Sequence, residues 1–174
     1  MIREKIILKY IKNKDVLDIG SVGQTQEYNL WEVMKKEAKY LVGIDIEPSN
    51  DKDIVLGNME NYDFCCDFDV IIAGDVLEHT DNQGLFLNNI NKHLKENGVL
   101  ILTTPNAKWL TVLFKPSPTH TLWHDKYTLF YILQKHGFKI THFQYYFGNK
   151  KHYNLFKRFL VWRQQMLVIC NKEV

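Results

Sequence analysis

Short apolar runs alternate with helical patterns along this chain, and this alternation constrains the fold more than any other feature. Five runs are rich in Val, Ile and Leu and are bounded by Gly, Asp or Pro, which is typical of strands buried on both faces of a parallel sheet. They read KDVLDIG, YLVGIDI, DIVLGN, FDVIIAG and GVLILTTP. Strands and helices that alternate in this way predict an open α/β sheet with right-handed crossovers.

Three helical patterns accompany the strands: EYNLWEVMKKEAK, NQGLFLNNINKHLKE and DKYTLFYILQKHGF. We expect Thr80 and Gln83 to form a capping box at the second helix and Gly98 to end it. Asp125 is expected to cap the third helix, and Gly137 to end it. Two later runs, KITHFQYYF and RQQMLVICN, are predicted to form an antiparallel pair at the sheet edge.

The size and composition predict a single domain over residues 1–174. Its 174 residues are enough for one full core and too few for two ordinary domains. Three cysteines, two of them adjacent at Cys65 and Cys66, offer no disulfide framework. The charged N-terminus does not resemble a signal peptide, and no apolar run reaches the roughly 18 residues of a membrane span. We therefore expect a cytoplasmic protein without a transmembrane segment.

Glycines and carboxylates follow the predicted strands where each strand ends. In an open α/β sheet, ligands bind beyond the carboxyl ends of the strands, where the winding reverses. A glycine turn admits a ligand to the backbone, and a carboxylate on the next strand accepts ribose hydroxyls. Taken alone, Gly20 and Gly23 are explained equally well by a tight turn. Asp45 alone is explained equally well by a solvated strand end. Their joint occurrence about 25 residues apart favours a cofactor site.

Six motifs together resemble one enzyme family over roughly residues 1–143. In chain order they are VLDIGSVGQ, GIDIEP, LGNMEN, FDVIIAGDVLEHT, LKENGVLILTTPN and YTLFYILQKHGF. They are similar to class I S-adenosylmethionine-dependent methyltransferases, and most similar to the ubiquinone-biosynthesis O-methyltransferases and related small-molecule and glycan methyltransferases. The resemblance implies a Rossmann-like, doubly wound, seven-stranded sheet that is mostly parallel, with the last strand antiparallel and helices on both faces.

The resemblance also implies where S-adenosylmethionine would bind. Its methionine part would contact the first turn, the ribose would contact the end of the second strand, and the adenine would lie beside the third. The transferred methyl group would lie near the fourth strand. The implied cofactor-binding residues are Asp18, Gly20, Ser21, Gly23, Asp45, Ile46, Asn58, Met59, Gly74 and Asp75. The chain departs from the family at Val22 and Gln24, which replace the second and third glycines of the turn, and at Asn58, which replaces an aspartate.

The segment DVLEHT supplies candidate catalytic residues. A hydroxyl acceptor must lose a proton, so a base or a metal is expected near the methyl group. We predict His79 and His120 as catalytic residues. If DVLEHT begins a helix, Asp75, Glu78 and His79 share one face of it. With His120 they are predicted to form a divalent-metal ligand set, for Mg²⁺ or Mn²⁺. The structural alternative is that Glu78 and His79 only brace the helix after the fourth strand.

The charge distribution indicates the class of acceptor. Residues 1–104 hold 11 Lys and Arg against 18 Asp and Glu, whereas residues 105–174 hold 11 against 2 and contain 15 of the 23 aromatic residues. Segments 105–125 and 147–160 are expected on the substrate side. Their basic residues predict an anionic acceptor. These are Lys115, Lys150, Lys151, Lys157 and Arg158. Alternatives are a solvated lysine face with aromatics in the core, or a surface that rests on a membrane.

These observations predict an O-methyltransferase that acts on an anionic small molecule or glycan. Nucleic acid is the less favoured acceptor, through an activity like that of the RNA 2′-O-methyltransferases. The alternative from a different class is a degenerate methyltransferase fold that serves as a binding module, with Val22 and Gln24 as its signs.

Overall fold

The fold is given by a computed structural model, which describes residues 2–22, 29–109, 117–146 and 164–173. The helices are α1 (Ile2–Ile11), α2 (Leu30–Glu37), α3 (Gln83–His93) and α4 (Lys126–Lys135), with a 3₁₀ turn at Leu77–His79. The strands are β1 (Asp15–Ile19), β2 (Tyr40–Asp45), β3 (Ile54–Leu56), β4 (Phe68–Gly74), β5 (Leu94–Pro105), β6 (Phe138–Tyr146) and β7 (Gln165–Lys172). In these ranges no helix combines the length and the apolar character that crossing a membrane requires.

The seven strands form one sheet in the order β3-β2-β1-β4-β5-β7-β6. Strands β1 to β5 pair in parallel, and β7 pairs antiparallel with both β5 and β6. The predicted fold class is therefore confirmed. The predicted antiparallel pair also forms, with β6 at the edge and β7 between β5 and β6. The order of the sheet reverses between β1 and β4, which is where a ligand is expected in this architecture.

The sheet is covered on both faces, which explains its nearly continuous apolar strands. One core layer joins Leu17 of β1 to side chains of α3 and α4, and the other joins Val16 of β1 to side chains of α1 and α2. Neighbouring residues of β1 thus point into different layers, as the two-residue period of a strand requires. The four helices of the described residues bury an apolar side against the sheet, so the ends of the sheet are the places left for a site.

Helix α3 begins two residues later than the capping box predicted. Its N-cap is Asn82, whose side-chain oxygen accepts a hydrogen bond from the Leu85 N–H at 3.0 Å. The Thr80 hydroxyl instead donates to the Leu77 carbonyl at 2.9 Å and so closes the 3₁₀ turn. The predicted Thr80–Gln83 box is therefore wrong, because Thr80 belongs to the preceding turn.

Helix α3 also ends earlier than expected. It stops at His93, and Gly98 lies inside β5 rather than at a helix end. Leu94 pairs with Phe68 of β4 and is fully buried, so this tertiary contact ends the helix. The helix α4 prediction is confirmed, with Asp125 as a capping box residue and Gly137 at a φ of +77° directly after the cap.

Candidate functional site

A cavity lies where the carboxyl ends of β1 to β4 meet. Its walls come from the turns after all four strands and from the start of α3. Six of the predicted site residues line it: Gly20, Asp45, Ile46, Asn58, Met59 and His79. Val76, Glu60, Thr80, Asp81 and Phe86 also line it and were not predicted from the sequence.

The turn after β1 requires glycine at position 20. Gly20 has a φ of +78°, and a Cβ built on it would lie 2.6 Å from the Cγ2 atom of Val76. Both the backbone conformation and the close approach exclude a side chain. The buried Ser21 hydroxyl donates to the carbonyl of Asp18 at 2.7 Å and so braces the turn. Gly23 lies outside the described residues.

Asp45 is held in place by two backbone donors. Its Oδ2 accepts from the Val22 N–H at 2.8 Å, and its Oδ1 accepts from the Glu47 N–H at 3.0 Å. Each carboxylate oxygen retains a further lone pair. The carboxylate is therefore oriented and still able to accept hydroxyl donors. Beside it, the Ile46 side chain is 70% exposed and offers an apolar surface to the cavity.

The segment after β3 is tied to the start of α3 through Glu60. Asn58 accepts a hydrogen bond from the Glu60 N–H at 2.8 Å, and the Glu60 carboxylate accepts from the Asp81 and Asn82 N–H groups at 2.8 and 3.0 Å. Met59 is buried. Glu60 therefore sets the distance between two walls of the cavity. Glu60 belongs to the LGNMEN motif but was not among the predicted site residues.

Arg3 of α1 reaches the end of β4, a contact that the sequence did not predict. Its Nη1 lies 2.8 Å from Asp75 Oδ2, and its guanidinium carbon lies 3.1 Å from the position of a Cβ built on Gly74. The Thr103 hydroxyl donates to Asp75 Oδ1 at 3.1 Å. Asp75 has a φ of +59°, a left-handed conformation. Gly74 and Asp75 thus lie beside the cavity rather than in its lining.

Glu78, His79 and His120 come together as predicted, whereas Asp75 does not join them. One ligand-type atom from each of the three lies within 4.8 Å of the other two. The His79 and His120 rings are perpendicular, with centroids 4.7 Å apart. The prediction that DVLEHT begins an α-helix, with Asp75, Glu78 and His79 on one face, is wrong. Leu77–His79 form a 3₁₀ turn instead.

A backbone carbonyl fixes the tautomer of neutral His79. The Nδ1 atom lies 3.0 Å from the Thr119 carbonyl oxygen. Since a carbonyl can only accept, Nδ1 carries the hydrogen and Nε2 is left as the acceptor. The backbone of the neighbouring segment is pinned as well, because the Thr121 N–H donates to the Glu78 carbonyl at 2.8 Å. His79 therefore presents a basic nitrogen from a braced position.

Burial changes the protonation of the acidic groups around this cluster. Glu78 is 2% exposed and accepts from the Thr104 hydroxyl at 3.0 Å. Burial, reinforced by the charge of Asp75, raises the pKa of Glu78 to about 8. Burial also raises the pKa of Asp18 to about 7, against the opposing effect of Arg3. The pKa of His120 is lowered, first by burial and then by His79.

Much of the predicted substrate side lies outside the described residues. This applies to residues 110–116 of the first segment and to all of 147–160. The five predicted anion-binding residues lie there: Lys115, Lys150, Lys151, Lys157 and Arg158. The described part of the first segment carries His120, Trp123 and Lys108.

The comparisons with known proteins agree on a family. A family described as a methyltransferase domain matches residues 3–159. The ubiquinone biosynthesis O-methyltransferase of Rickettsia typhi is 28% identical over 125 residues, which cover 64% of this chain and 50% of that protein. The chain thus spans about half the length of this curated relative.

Solved structures share the fold at low sequence identity. A methyltransferase from Archaeoglobus fulgidus, described as S-adenosylmethionine-dependent, has a TM-score of 0.75 and 20% identity, covering 98% of this chain and 92% of its own. The N-methyltransferase NodS from Bradyrhizobium japonicum, in complex with S-adenosyl-L-homocysteine, has a TM-score of 0.71 and 15% identity over 98% and 86% of the two chains.

Proposed function

Because this chain belongs to the methyltransferase domain family, as a class I S-adenosylmethionine-dependent methyltransferase, we propose that it methylates an oxygen of an anionic small molecule or glycan. The observation that carries the proposal is the position of His79. It lines the same cavity as Gly20 and Asp45. In neutral His79 the hydrogen is on Nδ1, where it is donated to the Thr119 carbonyl, so Nε2 can accept a proton. A base beside the cofactor is what a hydroxyl acceptor needs.

The cavity would hold S-adenosylmethionine along the ends of the strands. Asp45 would accept the ribose hydroxyls, Ile46 and Met59 would face the adenine, and the Gly20 turn would admit the methionine part. Arg3 lies beside Gly74 and close enough to Asp18, two residues before Gly20, to lower its pKa by charge, so it would be the cationic partner of the methionine carboxylate. It would supply charge-assisted hydrogen bonds there, which are stronger than neutral ones.

Methyl transfer is an in-line displacement. The acceptor oxygen forms a bond to the methyl carbon while the carbon–sulfur bond breaks, and the sulfonium becomes a neutral thioether. The acceptor hydroxyl proton goes to Nε2 of His79, and His120 packs edge-on against the His79 ring and limits its movement. Alignment of the reactants contributes on the order of 7–11 kcal/mol in well-oriented model reactions.

The same cluster also fits a divalent metal ion in its donor chemistry. Glu78, His79 and His120 would hold it, and the His79 contact with the Thr119 carbonyl is the kind that orients a metal-bound imidazole. Two imidazoles and a carboxylate suit Mn²⁺ better than Mg²⁺, which prefers oxygen ligands. A bound metal would polarise the acceptor oxygen. Asp75 is paired with Arg3 and is left out of this proposed set.

Three observations support the choice of acceptor. The relative from Rickettsia typhi is named as an O-methyltransferase. The positive charge of residues 105–174 favours an anionic acceptor. The base that a hydroxyl requires is present at His79, whereas a neutral amine attacks without one.

The experiment uses labelled S-adenosylmethionine with fractionated cell extracts, comparing the wild-type protein with His79→Ala. We expect His79→Ala to lower transfer by about 10²–10⁴-fold while binding of S-adenosylhomocysteine persists. His142→Ala, at an exposed histidine of β6, is the matched control. Full turnover by folded His79→Ala would refute the base assignment. Chelator sensitivity relieved by Mn²⁺ would select the metal instead.

The second candidate is a binding module that has lost catalysis. The observation that favours it is the presence of Val22 in the turn after β1, where the family has its second glycine. Such a module predicts no micromolar affinity for S-adenosylmethionine. Calorimetric titration of the purified protein separates the two candidates, since the enzyme requires that affinity.

A further inference from the structure

Three exposed aromatic side chains follow one another at intervals of four residues. They are Trp123, Tyr127 and Tyr131, with exposed fractions of 36%, 73% and 68%. Tyr127 and Tyr131 lie on successive turns of α4 and therefore share a face. We call these three residues the aromatic stripe. Rings of this size gain free energy when they are covered, so their shared exposure marks a surface for a ligand.

The aromatic stripe begins at the catalytic cluster. The Trp123 ring centroid lies 4.8 Å from that of His120, and the His120 centroid lies 4.7 Å from that of His79. His79 lines the cavity proposed for the cofactor. An acceptor with its reacting oxygen at His79 therefore has the stripe directly beside it, and an extended acceptor would continue over α4.

The charges beside the stripe discriminate between extended acceptors. Lys108 Nζ lies 5.1 Å from the Tyr127 ring centroid and also pairs with Asp125 at 2.5 Å. Single-stranded nucleic acid brings one phosphate with each stacked base and is bound in strongly cationic grooves. At this position Asp125 offsets the lysine and would repel a phosphate. The nearly balanced charge favours a chain with few anionic groups.

A sugar chain matches this surface. The apolar faces of sugar rings pack on aromatic rings, and the Tyr127 and Tyr131 hydroxyls can donate to and accept from sugar hydroxyls. Lys108, whose side chain is 67% exposed, can donate to sugar hydroxyls while it remains paired with Asp125. Tyrosine and tryptophan also order at a low entropic cost on binding, because they have only two rotatable side-chain bonds.

We propose that the acceptor is an acidic glycan and that the sugar units next to the methylated one lie on the aromatic stripe. This inference rests on the proposed function, since it places the reacting hydroxyl at His79. It narrows the acceptor from an anionic small molecule or glycan to a chain of several sugars.

The test is calorimetric titration with an acidic hexamer, a chain of six xylose units that carries one glucuronic acid substituent, and with a uridine hexanucleotide. The variant is the double substitution Tyr127→Ala and Tyr131→Ala, and Tyr40→Ala on β2, with an exposed fraction of 54%, is the matched control. We expect the acidic hexamer to bind and the double variant to weaken it by about tenfold or more. Tyr40→Ala and the affinity for S-adenosylhomocysteine should be unchanged.

Three outcomes would overturn the inference. The acidic hexamer could fail to bind, or it could bind the double variant as tightly as the wild type. The hexanucleotide could bind the wild type more tightly than the acidic hexamer does and lose that binding in the double variant. If S-adenosylhomocysteine binds while the acidic sugar does not, the glycan inference fails and the proposed function stands. If S-adenosylhomocysteine itself does not bind, the proposed function fails.

Discussion

Replacing Glu78 with glutamine should make the protein more stable in alkaline solution. Glu78 is almost fully buried, and its pKa is raised from 4.5 to about 8. When burial raises the pKa of a carboxyl group in the folded state, the protonated group contributes its full stability below the unfolded pKa. This contribution to the free energy of unfolding is lost as the pH rises through the folded pKa. Between about pH 4.5 and 8 the wild type should therefore lose stability, because unfolding lets Glu78 ionise.

The magnitude follows from the size of the pKa change. A rise from 4.5 to about 8 corresponds to at most about 5 kcal/mol of lost stability, at 1.36 kcal/mol for each pKa unit. Relaxation around a buried charge reduces this, so we expect roughly 3–5 kcal/mol at pH 9. Glutamine has nearly the same shape and its oxygen can still accept from the Thr104 hydroxyl, so Glu78→Gln should remove this loss.

The assay is urea unfolding followed by circular dichroism between pH 5 and 9. We expect the free energy of unfolding to fall less steeply for Glu78→Gln than for the wild type, with the curves diverging from about pH 5 and running parallel above about pH 8. Glu96→Gln, at an exposed glutamate in β5, is the matched control and should follow the wild type. If Glu78→Gln lost stability as steeply as the wild type, a protonated buried Glu78 would be refuted.

Three further changes test the cofactor site and the cluster. Asp45→Ala should weaken the calorimetric affinity for S-adenosylhomocysteine by about tenfold or more, because charge-assisted hydrogen bonds contribute about 1.5–3 kcal/mol, and unchanged affinity would remove the ribose assignment. Arg3→Gln should weaken the same affinity by a similar factor, and equal binding would show that the methionine carboxylate lies elsewhere. Treatment with a chelator should leave the affinity for S-adenosylhomocysteine unchanged, whether or not a metal ion binds the acceptor. A loss of that affinity would mean that a metal ion holds the cofactor.

The sheet could be predicted because its signals are local. Each strand carries a continuous apolar run, and the run is a direct result of burial on both faces. The cofactor-side cavity followed for the same reason, since Gly20 and Asp45 stand directly at strand ends. The boundaries of α3 were missed, because Leu94 joins β5 through its contact with Phe68.

Contacts between distant parts of the chain could not be read from the sequence. Arg3 and Asp75 are 72 residues apart and meet only because α1 covers the face of the sheet next to β4. That ion pair takes Asp75 away from the cluster of Glu78, His79 and His120, where residue spacing had placed it. Spacing describes neighbours along a helix, and here the chain makes only a 3₁₀ turn.

The position of β7 has a consequence for how this protein folds during synthesis. The strand lies between β5 and β6, although both are made before it. Until residues 165–172 emerge, β6 has no partner strand and the edge of β5 presents unpaired backbone groups, the kind of template on which chains aggregate. Since the pairing of β5 with β7 joins residues far apart in sequence, its closure is expected to be slow. Nascent chains that stop before β7 should therefore be the species that most need a chaperone.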